Sequence, residues 1–284
     1  MAKTVKNFAR VAMIQMKVVA DDAEANLTRA EQLLAAACAE GPVDFAVVPE
    51  CFDIGWGNPR AAQLATPVPG PVSDRLCVMA QRFNIYLASG ITEKDGEATY
   101  NSALLISPEG EILLKHRKIN VCYDVTDVYD IGDRLGVAET PFGRIGLDIC
   151  ADNFVNNTAL AHSLGRMGAR MILSPSSWAV GPGHDNEKTP YGSDWSVPYE
   201  QLSRLYDMAI VGVSNVGPVT MGSRTGWSSI GNSMAYAPGG FPLAVLPFGE
   251  DAETVFTVEV PLMASPARGD LTAAELEKRG YTGI

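Results

Sequence analysis

Short, nearly continuous apolar runs alternate along this chain with longer stretches in which apolar side chains recur every three or four positions. Runs of the first kind predict strands and those of the second predict helices. Val11 to Met16 opens the series as a strand, followed by a helix from Ala23 to Ala39. Asp21 or Asp22 can accept from the free N–H groups of its first turn, and Gly41 can stop it. A strand at Phe45 to Val48, a helix at Val72 to Phe83 and a strand at Ile85 to Ser89 follow. Ala103 to Ile106 and Ile112 to Leu114, separated by Pro108, Glu109 and Gly110, predict a hairpin that Lys118 leaves. The rhythm then returns as a strand at Ile145 to Ile149, a helix at Thr158 to Met167, a strand at Met171 to Leu173, a helix at Trp195 to Met208 and a strand at Ile210 to Val213. Thr225 to Gly249 carries no charge but is broken by Gly, Pro, Ser and Asn, so it predicts hairpin and loop rather than a lipid-spanning helix. Thr254 to Val260 closes the strands, and Leu271 to Arg279 predicts an amphipathic surface helix.

A doubled strand-helix rhythm makes two sheets, each with helices on one face and an apolar face that needs cover. A plain doubly wound sheet is the alternative. No Pro- or Ser-rich linker divides the halves, so residues 1–284 are expected to form one domain, and 46% apolar content suffices for a sizeable core. The formal charge of −11 argues against binding a phosphate backbone. Five cysteines, at positions 38, 51, 77, 122 and 150, are an odd number without C-x-x-C spacing, which predicts neither a disulfide framework nor a zinc site. The N-terminal segment has no long apolar core or small-residue cleavage site, so a cytoplasmic protein is expected. His116, His162 and His184 are too scattered for a metal cluster, and Gly-rich phosphate loops are absent, so no metal and no dissociable cofactor are expected.

Three strand ends carry reactive groups. Cys150 closes an apolar run, Glu50 ends another, and Lys118 follows a third. A thiol needs a base or a nearby positive charge to act as a nucleophile at neutral pH, and an oxyanion formed by its attack needs fixed positive charge or N–H donors. Glu50 can accept the proton, and Lys118 with the N–H of Ala151 can hold the oxyanion. Alone, Cys150 reads as a small buried hydrophobe and Glu50 as a solvated strand end. Trp56 and Trp178 lie just beyond strand ends and are candidate pocket walls. The long loop from Ala179 to Asp194 is a candidate for substrate selection, with a solvated surface loop as the alternative.

Taken in order, these segments resemble the nitrilase superfamily of carbon-nitrogen hydrolases over most of the chain. Pro49-Glu50 looks like its glutamate motif, His116-Arg117-Lys118 like its lysine motif, and Gly146 to Asp152 like its Gly-x-x-Ile-Cys-x-Asp nucleophile motif. The resemblance implies a four-layer αββα sandwich, a Glu50-Lys118-Cys150 triad and hydrolysis of a non-peptide C–N bond. It also implies a homodimer or larger homo-oligomer, with the arm at about 262–284 in oligomer contact. Two departures stand out. Ala151 and Val155-Asn156 occupy places where the family has an aromatic residue and a Phe-Pro pair, so a different pocket wall is expected. The position of a second family glutamate falls on Val125, and Asp124, one place earlier, is expected to orient Lys118 or a substrate amine. Within the family resembled, an aspartate two residues past the thiol, here Asp152, goes with the amidase and carbamoylase branches, so the resemblance implies an amide or N-carbamoyl substrate. A nitrile-hydrolysing enzyme and a catalytically idle scaffold are the alternatives.

Overall fold

The computed structural model describes residues 5–269 and 274–282. Its strands are β1 (Phe8–Gln15), β2 (Phe45–Val48), β3 (Tyr86–Asp95), β4 (Ala98–Ile106), β5 (Ile112–Arg117), β6 (Val137–Thr140), β7 (Gly143–Leu147), β8 (Ala169–Ser176), β9 (Ala179–Val180), β10 (Ala209–Ser214), β11 (Val216–Pro218), β12 (Ser228–Ile230), β13 (Met234–Ala237), β14 (Phe241–Val245) and β15 (Thr254–Pro261). The helices are α1 (Ala23–Glu40), α2 (Ala61–Leu64), α3 (Pro71–Phe83), α4 (Ala159–Arg166), α5 (Ser193–Tyr206) and α6 (Ala274–Lys278).

Two six-stranded mixed sheets stack face to face, in the orders β15-β1-β2-β3-β4-β5 and β14-β13-β10-β8-β7-β6. Read from β6, the second sheet repeats the pairing sequence of the first read from β15: antiparallel, parallel, parallel, antiparallel, antiparallel. This internal repeat is the structural counterpart of the doubled rhythm in the sequence. Helices α1 and α3 cover the first sheet and α4 and α5 the second, giving the αββα sandwich.

Side-chain alternation on the strands decides which layer each residue joins. On β2, Phe45 and Val47 enter the core between the sheets, where they meet Ile145, Leu147 and Leu173, while Ala46 and Val48 pack under α1 and α3 with Leu34, Leu76 and Met79. Because both faces are covered, β2 reads as a continuous apolar run rather than an alternating one. The α1 start is fixed by Asp22, whose side chain accepts from the Ala25 N–H at 3.0 Å.

Several boundaries differ from expectation. The strand predicted at Ile85 to Ser89 runs on to Asp95, because Glu93, Lys94 and Asp95 continue pairing with Ala98 to Tyr100 across a tight turn whose polar residues hide the strand period. β7 ends at Leu147, before the predicted Ile149. Of the segment predicted helical at Leu271 to Arg279, residues 271–273 lie outside the described residues, and Leu276 of α6 is buried. Among the described residues no helix is long and apolar enough to cross a membrane.

Candidate active site

The parallel strands β1, β2 and β3 run in one direction, and two antiparallel steps return β5 to it, so β2 and β5 end at the same edge of the first sheet. The second sheet presents the ends of β7, β8 and β10 beside them, and the Glu50 N–H donates across the gap to the Ser176 carbonyl at 3.2 Å. Glu50, Lys118 and Cys150 therefore arrive at one place from three distant parts of the chain.

Close packing fixes Glu50. A Cβ at Gly90 on the neighbouring strand would stand 2.5 Å from the Glu50 Cα, so glycine there is what permits the approach. Lys118 Nζ donates to Glu50 Oε1 at 2.5 Å, and Asn101 Nδ2 donates to the same oxygen at 2.7 Å. Both members of the ion pair are buried. Burial works against the Lys118 charge, but the Glu50 carboxylate and the nearby Cys150 outweigh it and hold the amine well above its usual range. Glu50 Oε2 is buried without a hydrogen-bond partner, an arrangement natural proteins tolerate where the free lone pair has a use.

Cys150 opens a 3₁₀ turn, Cys150–Asn153, in the left-handed region at φ 46°. A non-glycine residue held there carries backbone strain that its surroundings must support. Asp152 supplies that support. Its carboxylate binds His116 Nε2 at 2.8 Å, the Asn120 N–H at 2.8 Å, Asn120 Nδ2 at 3.1 Å and the Ile149 N–H at 3.2 Å. The lysine segment and the thiol turn are thus tied to one acid. Burial raises the Asp152 carboxyl, yet the bond and charge of His116 and the charge of Lys118 outweigh it and leave the group below its usual range. Asp148, two residues before the thiol, goes the other way: burial lifts its carboxyl to about 7, opposed by hydrogen bonding from Ser174. Burial also pushes the Cys150 thiol well up, helped by the Glu50 carboxylate and opposed by Lys118.

Cys150 opens on a cavity of about 340 Å³ lined by Trp56, Phe154, Tyr191, Trp195, Arg224 and neighbouring residues, within the size range of small-molecule sites. Trp56, the candidate wall, lines it, and so does Ala151, whose N–H was expected to hold the oxyanion. Trp178 does not: it is fully buried behind the wall, stacked on Trp195 at 4.9 Å between ring centroids, and Trp195 is the indole that faces the space. Asp124 does not reach Lys118 either, because its carboxylate is bound by Arg224 Nε at 2.8 Å and by the Ser223 hydroxyl at 3.3 Å. Val125, in the register of the missing glutamate, is buried beside Cys51, Ile54 and Tyr129. Sequence reasoning missed Asn101, Phe154 and Arg224. Tyr191, by contrast, lies in the loop singled out after β8, and Trp195 follows it directly. Among the described residues no group of His, Cys, Asp and Glu is arranged to hold a metal ion.

Residues 10–266 match the family model of the carbon-nitrogen hydrolases. This chain belongs to the carbon-nitrogen hydrolase family. Among curated proteins it is 30% identical over 187 residues to the omega-amidase NIT2 of Bos taurus, an alignment covering 62% of this chain and 66% of that protein. The aligned part is thus just under two thirds of that relative's length. It is 34% identical over 167 residues to the bifunctional nitrilase/nitrile hydratase NIT4A of Nicotiana tabacum, covering 51% of this chain and 47% of that protein. In fold it is similar to Nit3 of Saccharomyces cerevisiae, a member of branch 10 of the nitrilase superfamily, with a TM-score of 0.77 at 22% identity over 92% of each chain. The carbon-nitrogen hydrolase thus shares its αββα architecture with that structure.

Proposed function

We propose that this carbon-nitrogen hydrolase cleaves a small linear amide or N-carbamoyl compound through a thioester on Cys150. The observation that carries this reading is the unpartnered Glu50 Oε2, a buried carboxylate oxygen left free while its twin is held by Lys118 and Asn101. Glu50 takes the thiol proton as sulfur bonds to the carbonyl carbon, and the carbonyl electron pair moves onto oxygen. Lys118 and the Ala151 N–H stabilise that oxyanion. When the C–O double bond re-forms the C–N bond breaks, and the proton on Glu50 passes to the leaving nitrogen. Water then gives a proton to Glu50 and attacks the thioester, and the carboxylic acid departs as the proton returns to sulfur. An N-carbamoyl substrate would leave carbon dioxide and ammonia in place of a carboxylic acid. Asp124, expected to orient Lys118 or a substrate amine, has no part in these steps, its carboxylate being held by Arg224 and Ser223.

Ammonia release from aliphatic amides, N-carbamoyl compounds and nitriles, run beside Cys150→Ala, tests the reading. The expected result is turnover of amides or carbamoyl compounds that Cys150→Ala abolishes, with an acyl adduct on Cys150 in mass spectra of the trapped enzyme. Turnover of nitriles alone would replace the amide substrate by a nitrile, an activity named for the tobacco relative. No adduct with any substrate would make the chain an idle binding protein. Lys118→Ala should lower kcat/KM by about two to three powers of ten, the cost of one oxyanion stabiliser; activity within tenfold of the parent would remove Lys118 from that role.

A further inference from the structure

A second, much smaller pocket of about 30 Å³ adjoins the catalytic cavity, and Trp56, Ser177 and Arg224 line both. Its volume suits about two water molecules and is too small for a substrate. The frame around it is regular. Asn215 directly precedes β11, Ser229 lies on β12 and Ala179 on β9, and these strands form one three-stranded sheet in which Ser229 pairs with Gly217 on one side and Ala179 on the other. The Gly231 N–H donates to the Asn215 carbonyl and the Ile230 N–H to the Trp178 carbonyl, both at 2.9 Å.

The wall of this pocket is polar beyond what packing requires. Asn215, Ser177 and Ser229 keep only 7, 8 and 4% of their surface exposed. Asn215 Oδ1 is buried without a hydrogen-bond partner in the protein, and a buried acceptor left unsatisfied is costly unless something else fills it. A water molecule takes about two to four polar partners, which the amide oxygen and the two hydroxyl groups can supply. An ammonium ion fits poorly, because the permanent charge of Arg224 stands on the same wall.

Ser177 ties the pocket to the chemistry. A hydrogen bond from its backbone draws the Cys150 thiol down against burial, and the carbonyl of Ser176 before it accepts from the Glu50 N–H. Two successive residues therefore touch the nucleophile and the base, and the second of them lines both spaces.

We propose that the small pocket binds the water that hydrolyses the acyl-enzyme, with Asn215 Oδ1 as its acceptor and Ser177 at the junction with the cavity. This rests on the thioester reading above. The acyl group then occupies the cavity, and a side pocket lets the second nucleophile wait beside it. The water gives a proton to Glu50 as its oxygen bonds to the acyl carbon; the C–S bond then breaks, its electron pair stays on sulfur, and the proton passes from Glu50 to sulfur.

Asn215→Leu removes the acceptor at nearly constant size, and 4-nitrophenyl acetate as substrate delivers an acetyl group to Cys150 whatever amide the enzyme prefers. The nitrophenol burst counts active sites and times acylation, so loss of folded enzyme cancels, and the linear phase that follows times hydrolysis of the thioester. Asn215→Leu should slow the linear phase per active site by about tenfold or more while the burst rate stays within about threefold of the parent. Ser229→Val, which narrows the same pocket, should act in the same direction and carries the test if Asn215→Leu does not fold. An unchanged linear phase overturns the proposal, and so does a burst slowed as much as the linear phase. A crystal structure of the parent should show an ordered water within hydrogen-bond distance of Asn215 Oδ1; density that places none there overturns it as well. If mass spectra show no acetyl adduct on Cys150, the thioester reading falls and the water pocket with it, whereas an adduct that parent and variant hydrolyse equally fast overturns the water pocket alone.

Discussion

Two acid–base pairs, one beside Cys150 and one that includes the cavity-lining Arg224, differ in burial. Glu50 and Lys118 are closed off from solvent, with side-chain exposures of 0% and 2%, whereas Asp124 and Arg224 keep 18% and 20%. The same charges therefore do different things. A buried pair exists only while both members are present, since either charge left alone has lost its water without compensation. In the half-open pair water still screens the charges, so little stability rests on it. On the proposed function, the fixed proton acceptor is the carboxylate of the closed pair.

Glu50→Gln should break the closed pair with the largest effect. Loss of the base is worth about 10²- to 10⁴-fold in kcat/KM, and the Lys118 ammonium left behind should cost about 3–5 kcal/mol of stability in urea unfolding. Adding Lys118→Met should return most of that stability while leaving ammonia release at the baseline. A loss below 1 kcal/mol in Glu50→Gln would mean that the closed pair behaves like a surface pair.

Next in size is a pH effect at Asp148. Its folded-state carboxyl is raised to about 7, above the ordinary unfolded value near 3.9, so the native state binds this proton more tightly. Its contribution to stability is full at acid pH and is lost as pH rises between about 4 and 7. Asp148→Asn should therefore gain on the parent across that window, by up to about 4 kcal/mol from the size of the shift; parallel unfolding profiles for the two proteins would refute the assignment. Asp152 has the opposite shift, so Asp152→Asn should lose about 1–3 kcal/mol near neutral pH through its weakened bonds to His116 and Asn120. Thermal melts at pH 7 measure it, and an unchanged melting point would show that the thiol turn does not lean on this acid.

Asp124→Asn at the half-open pair should be the mildest, below about 1 kcal/mol in stability by urea unfolding. A larger stability loss would place Asp124 with Glu50, as a partner that the fold requires.

The chemistry was more legible in the sequence than its setting. Glu50 and Cys150 follow apolar runs and Lys118 follows the last residue of β5, and a strand end is where a covered sheet must release its chain to solvent or a site. What surrounds them was less visible. Trp178 and Trp195 are both large and both follow strands or loops, and only the stacking of one on the other decides which faces the cavity. Asp124 is one residue from the expected register, but a 3₁₀ turn at Tyr123–Val125 points it to Arg224, a hundred positions away. Asn101 gave no signal because an amide in the middle of a strand pattern reads as an ordinary polar position.

Local period, caps and glycine stops reflect interactions within a few residues, so the sequence by itself determined the main strand-helix alternation and its doubled rhythm, while α2, β6, β9 and β11 were not foreseen. The tertiary structure decided which strands sit side by side, how β15 returns to β1, and which of two neutral-looking aromatics makes the wall. It also decided the protonation of acids such as Asp148 and Asp152, only four positions apart. Those outcomes depend on burial and on partners far away in the chain, and neither is written in local spacing.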